Sequence, residues 1–177
     1  DFGGMELIAE MFGGGNMGYA IVAGLLRAGH SPQSIRIGEP SAERQTPLHK
    51  LSAALEVSGD NRAVCSASDV VVFAVKPQII RTVVTGLGGG GLQAGALVMS
   101  VAAGVTLASL SEWLPPGQPV VRVMPNQPAL IGSGISVLAA GQSASELNRA
   151  QADYIARSTG ATAWIDDENL MDAVTAV

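Results

Sequence analysis

Three glycines spaced Gly13-x-Gly15-x-x-Gly18 stand between a short apolar run and a helical pattern. That spacing suits the binding of a pyrophosphate. The first glycine permits a tight strand-to-helix turn, the second lets backbone approach the phosphates, and the third lets helix pack against strand. A helix opening at this point offers unpaired N–H groups and a partial positive charge. Gly14, Asn16 and Met17 complete the loop. The spacing alone is a weak motif. Its position between strand and helix favours dinucleotide binding over a merely tight glycine turn.

Other candidate groups sit where strands end. Glu39 follows Gly18 by about 20 residues, the distance at which an acid meets the adenosine ribose in NAD-binding folds. Arg44, close by, suits a 2′-phosphate instead, so NAD against NADP stays open, and a solvated turn residue is the plainer account of Glu39. Ala74-Val75-Lys76-Pro77 closes a β-branched run, and its turn either lies along the cofactor or merely starts the next helix. Ala102-Ala103-Gly104 ends another strand in small residues, which leave room for a flat ring. Asn126, between Pro125 and Pro128, suits a carboxamide or carboxylate. An Asx-turn is the local alternative, favoured when Asn126 is taken alone. Cys65, the single cysteine, reads as a packing residue. His30 and His49 read as helix-end residues, and with one cysteine they make no metal-ligand cluster.

These groups need a frame. Apolar or β-branched segments at residues 7–12, 35–38, 57, 69–75, 96–102, 120–124, 134–139 and 163–165 alternate with helical patterns. The helices are expected at 17–28, 42–55, 78–87, 107–114, 143–159 and from 167 onward, with a short helix or turn over 61–66. Gly29 stops the first, Pro47 is expected to break or kink the second, and Gly160 is read as the C′ residue of the helix at 143–159. Alternation of this kind means β-α-β units, an α/β Rossmann-like doubly wound sheet that is mostly parallel, with its ligand edge at the strand C-termini. Glu10 is out of character for a buried central strand. It is read as an edge position, a partnered group or an unusual substitution.

The balance of charge excludes little but points one way. A net charge of −5 with no basic run argues against nucleic acid as a partner. No apolar run reaches the ~20 residues of a membrane span. The lone cysteine is compatible with a reducing cytosol, and a cytoplasmic location is expected. Residues 1–5 are read as a cloning remnant, 6–166 as one dinucleotide-binding domain, and 167–177 as the start of a further, interrupted helical domain.

Together the motifs resemble the pyrroline-5-carboxylate reductases. The stretches that carry the resemblance run from Phe12 to Met17, Asp60-Asn61, from Ala74 to Gln78, from Ala102 to Val105, and from Arg122 to Pro128. Glu168 and the run from Asp172 to Ala176 add a sixth. The resemblance implies reduction of the ring imine of 1-pyrroline-5-carboxylate to L-proline with NADP(H) or NAD(H). It implies that residues 13–18 hold the pyrophosphate and that Glu39 and Asn61 meet the adenosine end. Ala74 to Pro77 and Ala102 to Gly104 would line the cofactor toward the nicotinamide, with Glu168 near the substrate. Gln127 stands where the family has threonine, and Glu10 where it has an apolar residue.

The family continues into an all-helical dimerisation domain, so a homodimer or higher homo-oligomer is expected of the full-length protein. The chain by itself is expected to bind the dinucleotide and turn over poorly. The proton donor for the imine nitrogen is not assigned. Two other readings stay open: a different small-substrate reductase of the same superfamily, and a stand-alone dinucleotide-binding module.

Overall fold

Runs of β-branched and aliphatic residues decide the architecture. The structure, a computed structural model, describes residues 7, 9–61, 67–88 and 90–174. Its strands are β1 (Ala9–Phe12), β2 (Ile35–Gly38), β3 (Glu56–Ser58), β4 (Val70–Phe73), β5 (Leu97–Ser100), β6 (Val120–Met124), β7 (Gly134–Ala140) and β8 (Gly160–Trp164). They form one sheet in the order β3-β2-β1-β4-β5-β6-β7-β8. The helices are α1 (Asn16–Arg27), α2 (Ala42–Leu51), α3 (Ile80–Gly86), α4 (Leu107–Trp113), α5 (Glu146–Arg157) and α6 (Leu170–Val174).

β4 is the clearest case of sequence dictating placement. All four of its residues are buried, and the strand lies between β1 and β5 with parallel pairing on both sides. Its side chains alternate between two cores. Val70 and Val72 join Met11, Leu25, Met99 and Val123 on one face. Val71 and Phe73 join Phe12, Ile80, Val98 and Leu110 on the other. A strand covered on both faces has no polar side, which is why it reads as an unbroken apolar run. Phe12 and Phe73 stack across the β1–β4 pair at 5.1 Å.

The expected doubly wound α/β fold is therefore present, with differences that have local causes. β6 and β7 pair antiparallel, so β7 and its parallel neighbour β8 run against the first six strands. The helix α2 runs through the exposed Pro47 and ends at Leu51, not near 55. Gly160 is not a helix cap but opens β8. There a Cβ would lie 2.1 Å from the Gly134 carbonyl oxygen. The edge reading of Glu10 falls, because its backbone sits between Arg36 of β2 and Val71 of β4. Gly29 stops α1 as expected, with φ +88° and bonds from Gly29 N to Leu26 O and from His30 N to Leu25 O. The segment at 62–66 with Cys65, and residues 1–6, lie outside the described residues. No helix among the described residues is long and apolar enough to cross a membrane.

Candidate functional site

The chain leaves β1 toward β2 and β3 on one side, then returns to start β4 on the other. Neighbouring strands whose connections depart in opposite directions leave a crevice at their C-terminal ends. The glycine loop fills the floor of that crevice. Gly13 N–H donates to Gly38 O at 3.0 Å, and Ala74 N–H donates to Phe12 O at 2.8 Å. These bonds tie the ends of β1, β2 and β4 together. Gly13 has φ +100°, and a Cβ there would sit 2.4 Å from the Ala74 carbonyl oxygen. Gly18 packs as closely, since its Cβ would fall 1.9 Å from Gly13 O. At Gly15 nothing lies within 4 Å of the same position, so this part of the loop faces open space.

The N-terminus of α1 faces the same opening. Gly15 is its N-cap, no side chain caps it, and no acid stands in its first turn. The first-turn N–H groups and the helix dipole together favour an anion there.

The groove above the loop has a volume of about 700 Å³. The structure gathers most of the sequence-predicted residues around it. Gly13, Gly15, Asn16 and Met17 form the floor, and Glu39 and Asn61 stand at the β2 side. Ala74, Val75, Lys76 and Pro77 line the β4 side, and Ala102 and Ala103 lie beyond them. Gly14 and Gly18 are buried behind the loop, and Gly104 is an exposed turn residue with φ +74°. None of these three is among the groove's lining residues. Five lining residues had not been singled out from the sequence: Gly38, Pro40, Ile79, Val83 and Val101. Their apolar or small character carries no signal apart from position.

At the β2 side the polar groups are organised from within. Glu39 is 3% exposed. Its Oε2 accepts from Gly14 N at 2.6 Å, and its Oε1 accepts from Ser41 N at 2.8 Å. The Gln45 amide donates to the Glu39 carbonyl oxygen at 2.7 Å. The Asn61 Oδ1 atom is buried without a hydrogen-bond partner among the described residues. A Cβ at Gly38 would lie 2.5 Å from that oxygen. A buried acceptor left unpaired beside a groove suits a ligand donor.

Asn126 and Glu168 lie away from this groove. Asn126 Oδ1 accepts from Ile135 N at 3.0 Å, which pins the loop between β6 and β7 and is not a local Asx-turn. Glu168 Oε1 accepts from Leu107 N at 2.8 Å and from Arg122 Nη1 at 3.0 Å. Arg122 Nη2 also reaches Asp172 Oδ1 at 3.4 Å. Arg122 is 2% exposed in the middle of β6. The sequence signal for it was available: one charge inside the run Val120-Val121-Arg122-Val123-Met124. No group of three or more His, Cys, Asp or Glu that could hold a metal occurs among the described residues.

These residues fit a dinucleotide: an open glycine cradle, an uncapped helix N-terminus and an unpaired buried acceptor. Comparison with known proteins points the same way. Residues 8–104 match the family model described as NADP oxidoreductase, coenzyme F420-dependent. The pyrroline-5-carboxylate reductase of Pseudomonas aeruginosa is 39% identical over 165 residues, covering 93% of this chain and 60% of the relative. A solved pyrroline-5-carboxylate reductase from Coxiella burnetii superposes with a TM-score of 0.92 at 30% identity, covering 98% of this chain and 64% of that one. The Plasmodium falciparum pyrroline carboxylate reductase, solved with NADP bound, gives 0.83 at 26% identity, covering 98% and 63%. The chain thus spans about three-fifths of the length of the curated relatives it matches.

Proposed function

From the premise that this chain belongs to the family described as NADP oxidoreductase, coenzyme F420-dependent, we propose that it is the dinucleotide-binding part of a pyrroline-5-carboxylate reductase. The full protein would reduce 1-pyrroline-5-carboxylate to L-proline with NAD(P)H. The observation that carries this reading is the groove at the β1–β4 switch, where an open Gly15 meets the uncapped N-terminus of α1. The shared name of the relatives supports the substrate.

When bound, a reduced nicotinamide dinucleotide supplies a hydride to the imine carbon, and a proton completes the amine. The chain's own residues bind and orient. Within the loop from Gly13 to Gly18, the N–H groups of Gly13 and Gly14 are held by Gly38 O and Glu39 and shape the turn, while those from Gly15 into the first turn of α1 would hold the pyrophosphate. Glu39 and Asn61 serve the adenosine end. Ala74 to Pro77 guide the cofactor past the end of β4. The small side chains of Ala102 and Ala103, with the Gly104 turn, let a flat ring lie against the end of β5. Holding the reacting atoms within about 3–3.5 Å is the main catalytic contribution of such positioning. Asn126 contributes to the substrate end through the part of its amide that Ile135 does not use. Glu168 contributes by fixing the start of α4. The assembled protein is read as a cytoplasmic homodimer or higher homo-oligomer.

The test is NADPH oxidation by the protein that carries this chain, with proline quantified. Addition of 1-pyrroline-5-carboxylate should yield L-proline in proportion to NADPH consumed. Oxidation with keto acids but none with this imine would overturn the substrate assignment and favour another reductase.

A further inference from the structure

Arg122 is a buried charge that the groove does not use. It is 2% exposed in the middle of β6, and its Nε is buried without a hydrogen-bond partner among the described residues. Its nearer carboxylate is Glu168, 3.0 Å from Nη1. Asp172 lies at 3.4 Å and is largely exposed. Departure of Glu168 would strand the guanidinium charge, so the pair holds the acid in place. The same oxygen, Glu168 Oε1, also accepts from Leu107 N–H at 2.8 Å.

Leu107 opens α4 and so closes the loop at 101–106. Val101, Ala102 and Ala103 of that loop line the groove. The loop has few ties. At its start Val101 N–H donates to Phe73 O at 3.2 Å, and Ala102 N–H donates to Ser100 Oγ at 3.3 Å. Ser100 stands in register with Arg122 across the β5–β6 pair. Ala102 and Val105 pack into the core. The N–H groups of residues 103–106 make no hydrogen bond among the described residues. Glu168 therefore ties the far end of the loop, and does so from the turn that begins α6, where Met171 N–H donates to the Glu168 carbonyl oxygen.

Resting on the reductase reading above, we propose that Arg122 and Glu168 are positioning residues for the reacting ring. Arg122 fixes the acid, and the acid fixes the loop against which the nicotinamide lies. The acceptor on Leu107 N–H, rather than the ion pair itself, is what the ring's placement needs. The phosphates are held at the other end of the groove, so a loosened loop leaves cofactor affinity largely intact. It slows the hydride step, because a small displacement of reacting atoms costs a large factor in rate.

Two double variants of the full-length protein separate the acceptor from the charge. Arg122→Met/Glu168→Leu replaces the pair by apolar side chains. Arg122→Met/Glu168→Gln restores only an oxygen for Leu107 N–H. Neither strands a buried charge, and apolar replacement of a buried ion pair is often neutral for folding. Each is measured for melting temperature, for NADPH Kd by fluorescence, and for kcat with 1-pyrroline-5-carboxylate. The deuterium isotope effect on kcat is read with NADPH labelled at the transferred position. The leucine pair should lose about tenfold or more in kcat, with NADPH Kd within about threefold of wild type. Its isotope effect should be no smaller than that of wild type, because the hydride step is the one slowed. The glutamine pair should recover most of the lost kcat.

Equal kcat in the two pairs overturns the proposal. So does a loss confined to melting temperature or NADPH affinity, or a loss of kcat with a reduced isotope effect. Where the leucine pair does not fold, Glu168→Asp decides: it keeps the charge but withdraws the oxygen by one methylene, so kcat should fall, and wild-type kcat overturns the proposal. Wild type that does not reduce the imine with NADPH sinks the reductase reading itself. An active wild type with equal pairs sinks only this inference.

Discussion

Replacing Gly15 by alanine separates a glycine needed for ligand approach from one needed for packing. Gly15 has φ −68° and ψ −171°, an extended conformation open to alanine. The added methyl group meets nothing within 4 Å. In the free protein two small terms oppose each other. Alanine is a poorer N-cap than glycine by up to about 1 kcal/mol, and it lowers unfolded-state entropy by about 0.4–1 kcal/mol. The melting temperature should therefore stay within about 2 °C of wild type, since ~1 kcal/mol moves a domain of this size by about 2–4 °C. Binding should respond differently, because the methyl occupies the space through which phosphate oxygens reach the loop. Losing one charge-assisted N–H contact costs about 1.5–3 kcal/mol, so NADPH should bind roughly 10–100-fold more weakly.

The control is Gly18→Ala. Its Cβ would lie 1.9 Å from a backbone oxygen of Gly13, which belongs to the loop itself. Overpacking of about 1–3 kcal/mol outweighs the ~1 kcal/mol of helix propensity that alanine adds. Both melting temperature and affinity should fall. NADPH fluorescence titration and thermal unfolding, run on both variants, read the two effects. Gly15→Ala binding within twofold of wild type would refute the assignment of this loop to the phosphates.

Two further predictions concern the frame. Glu168→Ala leaves the buried Arg122 guanidinium without its nearer carboxylate, and should destabilise by about 3–5 kcal/mol in chemical denaturation. Arg122→Met should cost less, because Glu168 is partly exposed and can hydrate; equal losses would argue against a buried-charge penalty. Asp153 is held below its ordinary value: burial pushes its carboxyl up, but hydrogen bonds from Thr162, Arg157 and Trp164, with the charge of Arg157, outweigh it. A depressed folded-state value adds stability above the unfolded value of about 3.9 and loses it as pH falls through the folded one. Asp153→Asn should therefore lower stability at pH 7, with the deficit shrinking below about pH 4. A deficit independent of pH would remove the ionised carboxylate from the explanation.

The sequence by itself determined the features that depend on one residue or its near neighbours. Gly13 and Gly18 are readable because no other residue type lacks the Cβ that their close approaches forbid. The run from Val70 to Phe73 is readable because two-sided burial removes every polar position from a strand. The α/β class and most of the groove's lining follow from such local signals. Pro47 shows where they stop, since its effect on α2 depends on surroundings that the local pattern does not contain.

Only the tertiary structure decided what depends on residues far apart. The reversal of β7 is set by its pairing with β6, and nothing within Gly134–Ala140 encodes a direction. Glu39 stands at the spacing of a ribose acid, yet its carboxylate is directed by Gly14 N–H, 25 residues away. Glu168 carries the same chemistry in the sequence as any solvated acid, and becomes a brace only through Leu107 and Arg122, 61 and 46 residues away. A side chain's type sets which bonds it can make. Which partner arrives, and so whether an acid faces the groove or the backbone, is settled by packing across the sheet.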